Sequence, residues 1–259
     1  MIAEGDEQKA GSFTCIDGCG CDIINPTSFS VFEINLASIS DNLGRVRENI
    51  DRACQVNGRS LDEVSLICVS KMITWDRVVQ AIEAGVTDLG ENYVQEAEEK
   101  IGKISAAVRW HLIGHLQRNK AAKAAGLFNM VQSVDSARLV GRLSECAVDA
   151  GRTLDILLEV NVGGEISKTG LGAEEFAETV ELTQGLPGLR LVGVMGIPPP
   201  SEDEKTQRQY FGEIRAHWEK LPEENRRVLS MGMSGDFERA IAEGSTMVRV
   251  GTAIFGRRA

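Results

Sequence analysis

From Val64 onward, short runs of apolar residues alternate with segments in which apolar residues recur every three or four positions. The apolar runs predict β-strands, and several are almost continuously apolar, as strands buried on both faces are. We predict strands near residues 64–70, 87–90, 108–113, 130–134, 154–161, 189–195, 227–231 and 247–250. We predict helices near residues 75–84, 93–104, 117–125, 136–150, 173–184, 203–219 and 236–243.

This alternation of strands and helices is typical of an α/β protein with a parallel sheet. Eight strand–helix units in about 190 residues favour a single (β/α)8 TIM-type barrel. An open, doubly wound sheet is the alternative, because the pattern alone does not establish that the sheet closes. A further helix is predicted before the first strand, from about Leu36 to Val56, where apolar residues form one stripe.

The N-terminal segment lacks such periodicity. We expect residues 1–31 to form a flexible extension and residues 32–259 to form the barrel. The extension contains Cys15, Cys19 and Cys21, whose thiolates suit a soft metal such as zinc. No fourth ligand is evident nearby, so we do not predict a metal site.

Composition narrows the classes of function. Apolar residues make up 42% of the 259 residues, the net charge is −10 and the pI is about 5.0. An acidic chain without a basic stripe argues against nucleic acid as a partner. The sequence contains no apolar run of membrane-spanning length and no apolar signal core, and its cysteines do not form a disulfide framework. We therefore expect a cytoplasmic protein that does not bind membranes.

Candidate chemistry lies where the predicted strands end, because functional groups of parallel barrels collect at the carboxyl ends of the strands. Lys71 ends the first strand. It could hold a phosphate as a point charge. Alternatively, a pKa lowered by desolvation and by a nearby cation would let its amine form a Schiff base, which we favour.

Two Gly-containing turns follow the seventh and eighth strands, Ser234-Gly235 and Gly251-Thr252. Barrels often bind phosphate with these two loops, where free backbone N–H groups and a helix N-terminus favour an anion. Ser, Thr and Gly are also ordinary turn and capping residues. The occurrence of both turns, in this order, favours a phosphate site. An amine opposite a phosphate site suggests a phosphorylated aldehyde such as pyridoxal phosphate.

Two other polar groups have alternative interpretations. Arg249 should point to the same side of its strand as Gly251, into the barrel, where it either pairs with a carboxylate or donates to a ligand. His111 and His115 are four residues apart across a strand and a loop, a spacing that does not place them on one face. We therefore do not predict that they bind a metal.

Several motifs, in order, resemble the YggS/PROSC family of pyridoxal phosphate homeostasis proteins over nearly all of residues 32–258. They are VSK at 69–71, GENYVQE at 90–96, WHLIGHLQRNK at 110–120, EVNVGGEISKTG at 159–170, VGVMGIP at 192–198, LSMGMSGDFERAI at 229–241 and STMVRVGTAIFGRR at 245–258. The resemblance implies a barrel like the N-terminal domain of alanine racemases. It also implies a protein of intracellular pyridoxal phosphate homeostasis that holds this cofactor.

The resemblance assigns roles to individual residues. It implies Lys71 as the Schiff-base lysine and Arg249 as the arginine that faces the pyridine nitrogen. Asn92 is implied beside the cofactor. The residues implied to bind the phosphate are Ser234, Gly251 and Thr252.

We expect no catalytic turnover, and therefore no catalytic residues. Alanine racemases add a β-rich domain and a tyrosine acid/base on the opposite face of the substrate, and neither Tyr93 nor Tyr210 has an evident claim to that role. The alternative is a fold-type III amino-acid racemase that depends on pyridoxal phosphate. A barrel aldolase with Lys71 as its Schiff base is a more distant rival. We expect a monomer that passes its cofactor to apo-enzymes.

Overall fold

The computed structural model describes residues 38–163 and 169–256. In these ranges, parallel strands follow one another around a closed barrel, and β8 pairs with β1. The strands are β1 (Ser65–Val69), β2 (Asp88–Glu91), β3 (Arg109–Leu112), β4 (Met130–Val134), β5 (Leu154–Val160), β6 (Leu189–Gly196), β7 (Val228–Met233) and β8 (Met247–Val250). The predicted (β/α)8 barrel is confirmed, and the open-sheet alternative is wrong.

The helices are α1 (Ile39–Val56), α2 (Trp75–Glu83), α3 (Val94–Ile101), α4 (Ala121–Leu127), α5 (Ala137–Asp149), α6 (Ala173–Gln184), α7 (Glu204–Glu219), α8 (Phe237–Ala242) and α9 (Thr252–Phe255). Helices α2 to α8 connect consecutive strands on the outside of the barrel, as right-handed βαβ crossovers require, while α1 precedes β1 and α9 follows β8. No helix of the described ranges is long and apolar enough to cross a membrane.

Helix α1 precedes the barrel and packs against α8 and α9. The helix predicted from about Leu36 to Val56 is confirmed, and it begins at Ile39 because Ser38 is the N-cap. The Ser38 hydroxyl accepts a hydrogen bond from the Asp41 backbone N–H, and the Asp41 carboxylate accepts one from the Ser38 backbone N–H. This reciprocal capping box fixes the first turn of the helix at Ile39.

The barrel interior is partly polar. Met130, Leu157, Val192 and Met195 form a small apolar cluster that is separate from the large core between strands and helices. The side chain of Gln132 on β4 contacts Ser230 on β7 and Met247 on β8. Since β4 does not neighbour β7 or β8 in the sheet, these contacts cross the interior.

The predicted extension, residues 1–31, lies outside the described residues, and so do Cys15, Cys19 and Cys21. The boundary of the barrel domain at residue 32 therefore stays a prediction. Lys168, in the loop after β5, also lies outside the described residues.

Candidate functional site

A cavity of about 290 Å³ opens at the carboxyl ends of the strands. This volume is close to the lower limit of small-molecule pockets, roughly 300 Å³. The described residues that line the cavity are Val69, Lys71, Asn92, Ile113, Ile197, Met233, Ser234, Gly235, Arg249, Gly251 and Thr252. The structure thus brings all of the predicted site residues to one place.

Lys71 lies two residues beyond the end of β1, is half-buried and, like Val69, lines the cavity. The next residue, Met72, has a φ of 59°, a left-handed conformation that residues with a side chain rarely adopt. The Met72 backbone N–H donates a hydrogen bond to the Glu96 carboxylate. This bond helps to hold the turn that presents Lys71 to the cavity.

A buried ionic cluster lies directly behind Lys71, and sequence analysis missed it. The Lys100 ammonium donates to Glu91 Oε1 at 2.7 Å, to Glu96 Oε1 at 2.8 Å and to the Ser70 backbone oxygen at 2.6 Å. The Ser70 hydroxyl also donates to Glu91 Oε1, at 2.6 Å. We refer to Ser70, Glu91, Glu96 and Lys100 as the anchor cluster. It fixes both residues that flank Lys71.

Glu91 is the most buried carboxylate of the anchor cluster, with 0% of its side chain exposed. Burial raises the pKa of Glu91 above its usual value, although hydrogen bonds from Lys100 and Ser70 oppose the shift. The desolvation of this carboxylate therefore outweighs its pairing with Lys100. The motif GENYVQE contains Glu91 and Glu96, and the spacing from Glu96 to Lys100 is that of a helical ion pair; this was the signal available in the sequence.

The opposite side of the cavity is built from the two Gly-containing turns. The Ser234 hydroxyl accepts long hydrogen bonds from the Gly251 N–H (3.3 Å) and the Ala253 N–H (3.5 Å), which link the two turns. The Met233 N–H donates to Asp236 Oδ1 at 2.6 Å and closes the Ser234 turn. Thr252 begins α9, where the first N–H groups of a helix have no partner within the helix.

Close packing favours glycine at position 251. A Cβ atom at this position would lie 3.0 Å from the Val69 backbone oxygen and 3.2 Å from Val69 Cβ. The end of β8 therefore approaches the end of β1 closely. This approach brings the turn at Gly251 next to the strand that carries Lys71.

Arg249 is buried, with only 3% of its surface exposed, and it reaches the cavity from the floor. Its Nη1 donates to Ser230 Oγ at 2.7 Å, and its Nη2 donates to the Gly196 backbone oxygen at 3.0 Å. No carboxylate of the described residues forms an ion pair with Arg249. Within these residues, the alternative that Arg249 pairs with a carboxylate is therefore wrong. Burial lowers the pKa of Arg249 to about 10, so the guanidinium stays charged at neutral pH.

Asn92 is half-buried at the end of β2 and lines the cavity beside Lys71. The loop after β3 packs directly against it, since a Cβ at Gly114 would lie 2.5 Å from the Asn92 backbone oxygen. Tyr93, the next residue, is 59% exposed and does not line the cavity.

The two histidines are not neighbours. His111 lies in the barrel interior, where its Nε2 is 2.9 Å from Asp88 Oδ1. His115 lies on the surface, and its Nδ1 is 3.0 Å from Asp135 Oδ2. Among the described residues, no cluster of three or more His, Cys, Asp or Glu side chains could hold a metal ion.

Comparison with known proteins shows the family. The family model for the N-terminal domain of alanine racemase matches residues 41–259. The pyridoxal phosphate homeostasis protein of Pasteurella multocida is 40% identical over 228 residues, which cover 85% of this chain and 98% of that protein.

Solved structures agree with this assignment. The structure of PipY from Synechococcus elongatus with pyridoxal phosphate bound is 31% identical, with a TM-score of 0.74, and the match covers 85% of this chain and 100% of that one. An alanine racemase from Clostridium difficile shares the fold, with a TM-score of 0.69 at 15% identity, and the match covers 84% of this chain and 57% of that one. The chain therefore belongs to the family of the pyridoxal phosphate homeostasis proteins, which have the fold of the alanine racemase N-terminal domain.

Proposed function

We propose that this protein binds pyridoxal phosphate in the cavity at the carboxyl ends of the strands and takes part in the homeostasis of that cofactor. The observation that carries the proposal is the convergence of Lys71, Arg249 and the turns at Ser234 and Gly251 on one cavity. An amine, a guanidinium and a set of backbone N–H groups match the aldehyde, the ring nitrogen and the phosphate of this cofactor. PipY, a relative with the same fold, has been solved with pyridoxal phosphate bound.

Lys71 holds the cofactor covalently in this proposal. Its amine nitrogen adds to the aldehyde carbon, and loss of the aldehyde oxygen as water leaves a carbon–nitrogen double bond, the Schiff base. The anchor cluster keeps the turn at Lys71 rigid from behind, so the amine is held at the cavity before the cofactor arrives. Asn92 lies beside the cofactor ring.

Ser234, Gly251 and Thr252 hold the phosphate. The Ser234 and Thr252 hydroxyls and the N–H groups at the start of α9 are hydrogen-bond donors to an anion. Gly251 has no side chain to block the approach of the phosphate oxygens.

Arg249 donates a hydrogen bond to the ring nitrogen. Because a guanidinium does not transfer its proton, the nitrogen stays unprotonated and the ring is a poor electron acceptor for carbanion chemistry. Among the described lining residues, Lys71 and Arg249 are the ones with ionisable side chains. A racemase needs a second acid/base group on the opposite face of the substrate. The second point supports a protein that carries the cofactor without enzyme-like turnover; the arginine does not distinguish the two readings, because alanine racemases share it.

We further propose that the protein is a cytoplasmic monomer and that apo forms of enzymes dependent on pyridoxal phosphate are the recipients of its cofactor. A visible absorption band of the purified protein that is lost in Lys71→Ala tests the binding site. Lys220→Ala, which changes an exposed lysine after α7, is the matched control and should keep the band. A band that survives in Lys71→Ala would contradict the assignment.

The racemase alternative is tested separately. The cofactor-loaded protein is incubated with L-alanine and other amino acids in deuterated water. We expect no exchange at Cα and no D-isomer on the scale of about one turnover per second, which is at the low end of ordinary enzymes. Exchange at that rate or faster would favour the racemase.

A further inference from the structure

A line of buried hydrogen bonds crosses the barrel interior and ends at Arg249. Ser230 Oγ, which accepts from Arg249, lies 2.7 Å from Gln132 Oε1. Gln132 Nε2 lies 3.2 Å from His111 Nδ1. His111 Nε2 lies 2.9 Å from Asp88 Oδ1. We call these five residues, from Arg249 to Asp88, the polar file.

Each hydrogen bond of the polar file has a fixed direction. An arginine only donates, so Ser230 accepts from Arg249 and gives its own hydroxyl hydrogen to Gln132 Oε1. The amide nitrogen of Gln132 then donates to His111 Nδ1. This assigns the ring hydrogen of neutral His111 to Nε2, which donates it to Asp88.

The far end of the polar file is a stable acceptor. Burial alone would raise the pKa of Asp88, but hydrogen bonds from His111, Arg109 and Thr87 lower it to about 2. Asp88 is therefore a carboxylate at neutral pH and accepts the Nε2 hydrogen. At most 3% of the surface of any residue of the polar file is exposed, so these groups depend on one another for their hydrogen bonds.

The polar file differs from the usual packing of a barrel interior. Barrel interiors are usually packed with branched apolar side chains in layers. Here, polar residues from β2, β3, β4, β7 and β8 connect end to end, and the last of them lines the cavity. A turn of the Gln132 amide by 180° would place its oxygen against His111 Nδ1, which carries no hydrogen in this tautomer, so two acceptors would face each other. The file therefore supports one orientation of the Gln132 amide, with its oxygen towards Ser230.

We propose that Ser230 and Gln132 are positioning residues that aim the Arg249 guanidinium at the ring nitrogen of the cofactor. His111 and Asp88 fix the orientation of the Gln132 amide. The inference rests on the proposed function, because it concerns the same cavity. It adds the residues that prepare Arg249 for recognition of the ring nitrogen.

The test compares pyridoxal phosphate with its 1-deaza analogue, in which C–H replaces the ring nitrogen and cannot accept a hydrogen bond. Apparent dissociation constants for both ligands are measured by absorption for the unaltered protein, Ser230→Ala and Gln132→Leu. We expect the unaltered protein to favour pyridoxal phosphate by about tenfold, as a charged donor to the nitrogen implies. In both variants this ratio should fall to nearly one.

Ser245→Ala is the matched control. Ser245 is also a fully buried serine next to β8, but its hydroxyl donates to backbone oxygens, including that of Met231 at 2.8 Å. This variant should keep the tenfold ratio even if it loses stability. If Ser230→Ala keeps the same preference for pyridoxal phosphate as the control, the inference on the polar file is overturned, but the proposed function is not. Failure of the unaltered protein to bind either ligand would overturn the proposed function as well.

A second measurement does not depend on the folding of any variant. The chain has 3 histidines, so the ring nitrogens of His111 can be assigned by ¹⁵N NMR in the unaltered protein. We expect the tautomer with hydrogen on Nε2. The tautomer with hydrogen on Nδ1 would reverse the direction of the polar file and overturn the inference.

Discussion

Replacement of Lys100 by methionine should strongly destabilise the barrel. Methionine is similar in length to lysine but leaves the Glu91 carboxylate without its cation in a site where Glu91 is 0% exposed. Removal of one partner from a buried ion pair costs about 3–5 kcal/mol, because the remaining charge stays buried and uncompensated. In a domain of this size, each kcal/mol lowers Tm by roughly 2–4 °C, so Tm should fall by about 10 °C.

The pH dependence of this loss has a definite sign. The folded-state pKa of Glu91 is raised, so folding favours its protonated form. The stability that comes from protonation is fully present below the unfolded pKa and is lost as pH rises through the folded pKa. Without Lys100 that folded pKa is higher still. The difference between Lys100→Met and the unaltered protein should therefore be largest at neutral pH and smaller at acidic pH.

The assay is urea unfolding between pH 5 and pH 8, with Lys123→Met as the control. Lys123 pairs with Glu98 at 2.7 Å, but 53% and 45% of the two side chains are exposed. An exposed pair of this kind is worth about 0–1 kcal/mol. The double variant Glu91→Gln, Lys100→Met should recover part of the lost stability. If Lys100→Met costs no more than Lys123→Met, our reasoning on the anchor cluster is refuted.

Three further predictions concern the cavity and the N-terminal segment. Gly251→Val should lower the free energy of unfolding in urea by about 1–3 kcal/mol, because the valine side chain would press against Val69. The variant should also contain less cofactor. Unchanged stability would refute the close packing. Ser234→Ala should weaken the retention of pyridoxal phosphate more than that of pyridoxal, and equal weakening would remove its phosphate role. Deletion of residues 1–30 should leave Tm and cofactor content nearly unchanged; loss of cofactor or of a stoichiometric metal would show that the cysteine-containing extension matters.

Much of the fold could be predicted because the barrel strands are short apolar runs separated by periodic helices. The least accurate strand end was that of β7, which was predicted near residue 231 and lies at Met233. The structure instead has a bulge in β7, after which Met233 still pairs with Arg249 on β8. A glycine with a φ of 95° provides this irregularity without ending the strand.

The convergence of the site residues was also predictable, since Lys71, Ser234 and Gly251 each lie just after a strand and parallel strands end on the same side of a barrel. The anchor cluster and the polar file were not. The members of the polar file have partners that are distant in sequence: Ser230 and Gln132 are 98 positions apart. In the anchor cluster, the helical pair of Glu96 and Lys100 had a sequence signal, but the bond from Lys100 to Ser70, 30 positions away, had none. Hydrophobic periodicity contains no signal for such pairs.

The most direct test of the central claim is to locate the bound cofactor by mass. The purified protein is reduced with borohydride, which makes any Schiff base permanent, and is then digested with trypsin. Modification of Lys71 blocks cleavage there, so we expect one peptide that spans residues 60–77 and carries a single pyridoxyl phosphate group. Separate unmodified peptides 60–71 and 72–77, with the label on another lysine such as Lys168, would contradict the account.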